Sequence, residues 1–349
     1  MGIVTAGSAS ASKGAKKHGW IDICKNADGS TLRLPVWVAN GVKDGPTLVI
    51  DAAAHGGESE GVWIAIELMK SLDPAELSGV VMTVPVFNPI GFDLRMRGNP
   101  WDLMHVDVMR RFPGFQNSKS LTDRIVYAYM TEVLQKADYY VGLHGGAGSE
   151  SAMVPRVIFQ EEIGPQRIRL EKSFEMAKAV AMSTEWVIAG KSEHTERAER
   201  TPLYQLAEMK IPGVVMEIGG GLPYLPGFRD RDTLDQVTGF GVKSVKNVMK
   251  WAGMLEGKPE YPESWRRCPE YRVVRSFNGG ILRYNKEYKL NTSVKEGTVV
   301  CTVEDLFGEQ IEQVKMPFDG IIISQARRPT TRPSESVFLA GRTPEIIRR

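Results

Sequence analysis

The chain has 349 residues, of which 42% are hydrophobic and 25% charged, a make-up that allows one large globular domain of about 250 residues plus a small one. Its 44 basic and 42 acidic side chains leave a formal net charge of +2, without the basic excess or stripe of a nucleic-acid binder. No stretch approaches the ~20 apolar residues that span a bilayer, and three cysteines (Cys24, Cys268, Cys301), none in a CxxC pair, exclude a disulfide framework and point to thiols in a reducing compartment.

Residues 1–17 are small, polar and lysine-containing. They lack the apolar core of about 7–15 residues that a signal peptide carries, so residues 1–20 read as a flexible lead and a cytoplasmic location is expected. From Thr47 a regular alternation begins. Thr47–Ala54 and Val80–Phe87 are apolar, strand-like runs, and Gly61–Leu72 between them has helical spacing. Leu121–Ala137 is helical, and Tyr139–Leu143 and Arg156–Gln160 are strand-like. Pro165–Ser183 is an amphipathic helix with Ile168, Phe174, Ala177 and Val180 on one face. Glu185–Ala189 is a strand, Pro202–Met209 a helix, Val214–Ile218 a strand and Thr233–Glu256 a long helix. Strands that alternate with helices and are apolar on both faces predict a mixed, doubly wound α/β sheet covered on both sides over residues 21–257. Residues 258–269 carry Pro259, Pro262 and Pro269 and read as a linker. Residues 270–345 hold short alternating runs and many turn residues, the pattern of a small all-β domain.

In a covered α/β sheet, reactive residues gather where strands end at their carboxyl termini. His55-Gly56-Gly57-Glu58 follows the first strand directly, and its two glycines allow both side chains to converge in a tight turn. His₂Glu is a standard ligand set of catalytic zinc, which keeps one position open. Of the five histidines (His18, His55, His105, His144, His194), His144 has the same strand-then-glycine context and is the candidate second histidine. Glu217 ends the apolar strand VVMEI before three glycines. A carboxylate there is costly to bury unless it is paired or functional, which makes it the candidate general base. Taken singly, each signal has a bland reading: a chance HxxE, a structural histidine, a paired core acid. What weighs against those is that all fall at strand ends of one pattern.

These residues stand in segments that resemble the succinylglutamate desuccinylase/aspartoacylase family, relatives of the zinc carboxypeptidases. The segments are AHGGESEG, then VPVFNPIGF with Arg97 and DVMRRFPG, then GLHGG, then VVMEIGGG. The likeness covers roughly residues 45–345, with the PFDGIII turn in the β-rich C-terminal part. It implies one zinc per chain held by His55, Glu58 and His144, and Glu217 as base. It also implies that Arg97 stabilises an oxyanion and that Arg110 grips a substrate carboxylate with its planar fork. Two positions depart from the family pattern. Met109 stands where the Asn of an Asn-Arg pair is expected, which leaves Arg111 or His105 as further substrate-binding candidates. Gly142 stands where the acid of a DLH motif is expected, a change that weakens support for the metal site. His194, in the charged run KSEHTERAER, is a weaker candidate for a pocket wall.

The activity so implied is hydrolysis of the amide bond of a small N-acyl amino acid, a small-molecule substrate. Hydrolysis of a neutral amide or ester, a carboxypeptidase-like activity, and a non-catalytic metal-binding protein are the alternatives. His₂Glu sites accept several divalent ions, and assembly into a homo-oligomer is left open by the sequence.

Overall fold

The structure is a computed structural model. It describes residues 2–102, 105–145, 151–159, 162–163, 168–169, 171–183, 186–192, 199–218, 231–326 and 328–349. His194 lies outside the described residues.

The central element is a mixed sheet. Its principal strands in chain order are β1 (Ala15–Lys25), β2 (Thr31–Asn40), β3 (Lys43–Ala52), β4 (Ser78–Val84), β5 (Tyr139–His144), β6 (Arg156–Phe159), β7 (Val187–Ser192), β8 (Gly213–Glu217), β9 (Ser264–Arg275), β10 (Gly320–Ala326) and β11 (Ser336–Arg342), with Ser151–Met153, Ser293–Val294 and Glu345–Arg348 as short additions. Across the sheet they run β10-β11-β9-β7-β6-β8-β5-β3-β4-β2-β1. The pairs β4/β3, β3/β5 and β5/β8 are parallel, so β3, β5 and β8 end on the same edge. Strand β6 runs antiparallel beside β8.

The helices are α1 (Glu60–Ser71), α2 (Pro89–Leu94), α3 (Leu121–Glu132), α4 (Glu171–Val180), α5 (Pro202–Glu208) and α6 (Arg231–Trp251). Alternation along β3 sends Leu48, Ile50 and Ala52 into one core, with residues of α1, α4 and α6. Val49 faces the opposite core, with residues of α3, α5 and the N-terminal hairpin. The doubly covered sheet expected from the sequence is therefore present. Helix boundaries follow local chemistry. The Ser120 hydroxyl accepts from the Asp123 amide to start α3, and Asp102 caps the same end by accepting from the Leu121 and Thr122 amides at 2.8 and 2.7 Å.

Two sequence expectations are corrected. Residues 1–20 are not a flexible lead: Ile3–Ala6 pairs with Ala9–Ser12 as a hairpin, and β1 follows. The buried side chains there are Val4, Ala6, Ala9 and Ala11, too small and too mixed with serine to give an apolar signal. Lys16 adds an anchor by donating to the Lys70 and Leu72 carbonyls at the C-terminal end of α1, at 3.2 and 2.8 Å. The expected linker at 258–269 is extended only in part. β9 begins at Ser264, and Trp265 is buried against α4, its indole donating to the Lys178 and Ala181 carbonyls. Strand β9 also lies parallel to β7, so residues after 264 complete the same sheet that carries the candidate site. A separate four-stranded sheet is formed by Gly280–Tyr284, Val299–Glu304, Gln310–Lys315 and Thr330–Thr331.

Candidate metal centre and active site

His55 and Glu58 stand on the turn that leaves β3, closed by the Glu58 amide donating to the His55 carbonyl at 3.0 Å. Gly56 is required there because a Cβ would sit 1.8 Å from the Gly91 carbonyl oxygen. That close approach is organised by Asn88, which accepts from the Gly91 amide at 3.0 Å and donates to the Ala54 carbonyl at 3.3 Å. The FNP signal of the sequence is thus the clamp on the HGGE turn. His144 ends β5, and Ala53, at φ 47°, follows the Ala52 that pairs with Leu143.

The three side chains converge. Glu58 Oε1 lies 2.7 Å from His55 Nδ1 and Glu58 Oε2 lies 2.9 Å from His144 Nδ1, with all three residues buried. One ligand atom from each falls within 4.8 Å of the others. Two imidazole nitrogens and a carboxylate oxygen facing one point form a donor set that fits a divalent cation. Burial opposes a charged imidazole at His55. The Glu58 and Asp107 carboxylates outweigh that cost and the nearby Arg97 guanidinium, and the group is pushed up to about 9. Burial opposes the charge on His144 as well, and Glu58 raises it above the usual histidine range. Burial would raise Glu58, but the two imidazoles hold it below the usual carboxylate range.

Asp107, which carried no signal in the sequence, braces this cluster. Its Oδ1 accepts from His55 Nε2 at 3.2 Å, and Oδ2 pairs with Arg97 Nη2 at 3.2 Å. Burial works against its charge, yet His55 and Arg97 hold it below the usual carboxylate range. With Nε2 given to Asp107, Nδ1 of His55 is the nitrogen left for a metal. The residue sits two positions before Met109, at the start of DVMRR, a segment whose arginines dominate the sequence pattern. Arg97, exposed, has Nη1 3.5 Å from His55 Nδ1 and so stands at the rim of the site.

Glu217 ends β8 in register with His144, and its carboxylate pairs with Arg156 Nη2 at 3.2 Å. The substrate-binding candidates separate. Arg110 ends a short 3₁₀ turn, Val108–Arg110, with its side chain exposed and no acidic partner among the described residues. Arg111 is committed elsewhere: its Nε and Nη2 each donate to Asp123 at 2.7 Å. His105 is exposed at φ 49°, on the loop between Arg97 and Arg110. Met109 is half-buried and packs on the core shared with α3. At Gly142 a Cβ would lie 2.6 Å from the Tyr140 hydroxyl, so an acid there would have to displace that ring. The residue beside it on β3 is Asp51, fully buried, whose Oδ2 accepts from Tyr129 and Tyr140 at 2.6 and 3.0 Å.

Residues 44–236 match the family model described as the succinylglutamate desuccinylase/aspartoacylase catalytic domain. The chain belongs to that family. It is 24% identical over 323 residues to the N-alpha-acetyl-L-2,4-diaminobutyric acid deacetylase of Halomonas elongata, a match covering 89% of this chain and 86% of the relative. Among solved structures, the product-bound ectoine utilization protein EutE (DoeB) of Ruegeria pomeroyi superposes with a TM-score of 0.76 at 22% identity, covering 94% of this chain and 95% of that one. A succinylglutamate desuccinylase of Silicibacter sp. TM1040 gives 0.75 at 21% identity, covering 95% of each. These two likenesses place the fold, and the family match covers the segment that carries His55, Glu58, His144 and Glu217.

Proposed function

We propose that the protein is a zinc-dependent deacylase that hydrolyses the amide bond of a small N-acyl amino acid. The observation that carries this reading is the convergence of His55 Nδ1 and His144 Nδ1 on the Glu58 carboxylate, with Glu217 in register with His144 on the next strand. His55, Glu58 and His144 would hold the ion, which when bound supplies Lewis acidity toward the scissile carbonyl and toward water. Glu217 takes a proton from water as it attacks and returns it to the departing nitrogen. Arg97, at the rim beside His55, offers its guanidinium to the oxyanion that develops on the carbonyl. Arg110, exposed at the end of the turn that follows Asp107 and without an acidic partner among the described residues, offers its fork to a carboxylate. Asp107 keeps the His55 ring in the tautomer that presents Nδ1.

An N-acetylated diamino acid is the first substrate to test, because a family relative is named as a deacetylase of N-alpha-acetyl-L-2,4-diaminobutyric acid. A second reading is favoured by Met109, whose thioether packs on the core where an amide would help hold a carboxylate. On that reading the substrate is a neutral amide or ester.

The deciding experiment is metal analysis of the purified protein together with a hydrolysis screen. N-acetyl, N-succinyl and N-formyl amino acids are compared with their amide-blocked counterparts. About one zinc per chain and a release of amine that a chelator abolishes are expected. Preference for the blocked member of each pair would establish the second reading. Protein that binds no zinc and stays inactive after zinc is added would overturn both.

A further inference from the structure

One largely covered charged group at the site, Arg156, has no role in the proposed hydrolysis. Arg156 opens β6 and is the register partner of Glu217 across the antiparallel β6/β8 ladder. Glu217 is in turn the register partner of His144. His144, Glu217 and Arg156 therefore form one row over three adjacent strands. The two charged side chains are 12% and 13% exposed, and Arg156 Nη2 donates to Glu217 Oε1 at 3.2 Å. Arg156 is the only donor to that carboxylate among the described residues.

The support behind Arg156 is built as well. Its guanidinium lies over the ring of Tyr271, 5.7 Å from the centroid, and Tyr271 is a buried residue of β9. Its Nε and Nη1 are buried with no hydrogen-bond partner among the described residues. A guanidinium drawn this far out of water is a poor choice for stability, where an apolar side chain of the same reach would cost less. Its value lies in the one contact it completes. A strand ladder fixes the separation of the two residues more tightly than a loop could.

We propose that Arg156 is a positioning residue for Glu217: by holding Oε1 it fixes the carboxylate and leaves Oε2 as the oxygen that accepts the proton. The inference rests on Glu217 being the base. It assigns the C-terminal strand β9 an indirect part in the chemistry, through Tyr271.

The test compares R156Q, R156K, E217Q and the R156Q/E217Q double variant in the full chain loaded with zinc. A free base that samples several rotamers reaches the attacking geometry less often. R156Q is therefore expected to lower kcat about 10- to 100-fold while KM and zinc content stay unchanged. R156K keeps one charged donor and is expected to recover most of the loss. In the E217Q background, R156Q should add no further loss, since the group it positions is gone. Unchanged kcat in R156Q, a loss confined to KM, or the same loss in both backgrounds would each overturn the proposal. Should R156Q fail to fold, R156K decides: kcat as low as that of E217Q would overturn it. An E217Q variant that stays active would refute the base assignment itself. An inactive E217Q beside a fully active R156Q would refute the positioning role alone.

Discussion

The two histidines of the centre are supported in opposite ways. On the His55 side, Nε2 donates to Asp107, which Arg97 holds from its other oxygen, and the turn beneath is clamped by Asn88. On the His144 side, Nε2 is buried with no hydrogen-bond partner among the described residues. The strand below it carries Gly142, and the adjacent carboxylate, Asp51, gives its Oδ2 to two tyrosines. Beyond Glu58, His55 is aimed by a hydrogen-bonded relay, whereas His144 is aimed by the backbone of β5 and by packing, with the buried Asp51 carboxylate acting on it through charge alone. A turn residue has no strand pairing to fix its backbone, and here a hydrogen bond fixes its ring. A residue at the end of a central strand, flanked by β3 and β8, is held by the ladder itself.

Breaking either ligand tests the shared part of that comparison and carries the largest effect. H55A and H144A are each expected to abolish zinc binding, measured as metal content after dialysis; full occupancy in either would remove that residue from the ligand set. Asp107 separates the two sides. D107A should weaken zinc affinity about 10- to 100-fold, read by competition with a chromophoric chelator, whereas D51L, which removes a charge near His144 but no hydrogen bond to it, should weaken it less. D51L should instead lower stability by about 1–3 kcal/mol, since two buried tyrosine hydroxyls lose their acceptor. Equal zinc affinity in the two variants would abolish the distinction.

The pH dependence follows from the same groups. In chelator-treated protein His55 titrates at about 9, so zinc must displace its proton below that pH. Zinc affinity is expected to fall as pH drops from about 9, with proton release on binding at neutral pH. The stability of the metal-free protein runs the other way. The raised His55 contributes stability in full below the ordinary 6.5, and that contribution is lost as pH rises through about 9. The lowered Glu58 contributes above its ordinary 4.5 and loses that contribution as pH falls. The cluster therefore stabilises the chelated protein most between 4.5 and 6.5, which a series of thermal melts would show. The effect expected of G142A is confined to stability. A methyl group 2.6 Å from the Tyr140 hydroxyl forces a shift in a packed core, at a cost of about 1–3 kcal/mol in denaturant melts and with zinc content unchanged.

The parallel strands β3, β5 and β8 are legible in the sequence because short, continuous apolar runs bounded by turn residues mark strands buried on both faces. The candidate ligands His55 and His144 are legible because they stand where such runs stop, and Glu58 because it closes the glycine turn after His55. The site residues that stay hidden act through partners far away in sequence. Asp107 matters because the turn at His55 folds against it, and Arg156 because an antiparallel strand brings it beside Glu217. Arg111 resembles a substrate ligand in the sequence for the same reason: nothing near it announces Asp123 as the partner that takes both of its donors. The N-terminal hairpin is hidden by composition, since alanine and serine in alternation carry little hydrophobic contrast even when every other side chain is buried.

The late strand beside β7 has a consequence for how the protein is made. Strand β9 begins at Ser264, more than a hundred residues beyond His144, and yet it closes one flank of the sheet on which the ligands are mounted. A chain emerging from the ribosome exposes His55, Glu58, His144 and Glu217 well before that flank is covered. During that interval β7 presents an open edge, and strand edges left unpaired invite association with other chains. The synthesis of this protein therefore contains a vulnerable window that begins to close when Ser264–Arg275 has docked and ends when β11 covers β9 in turn.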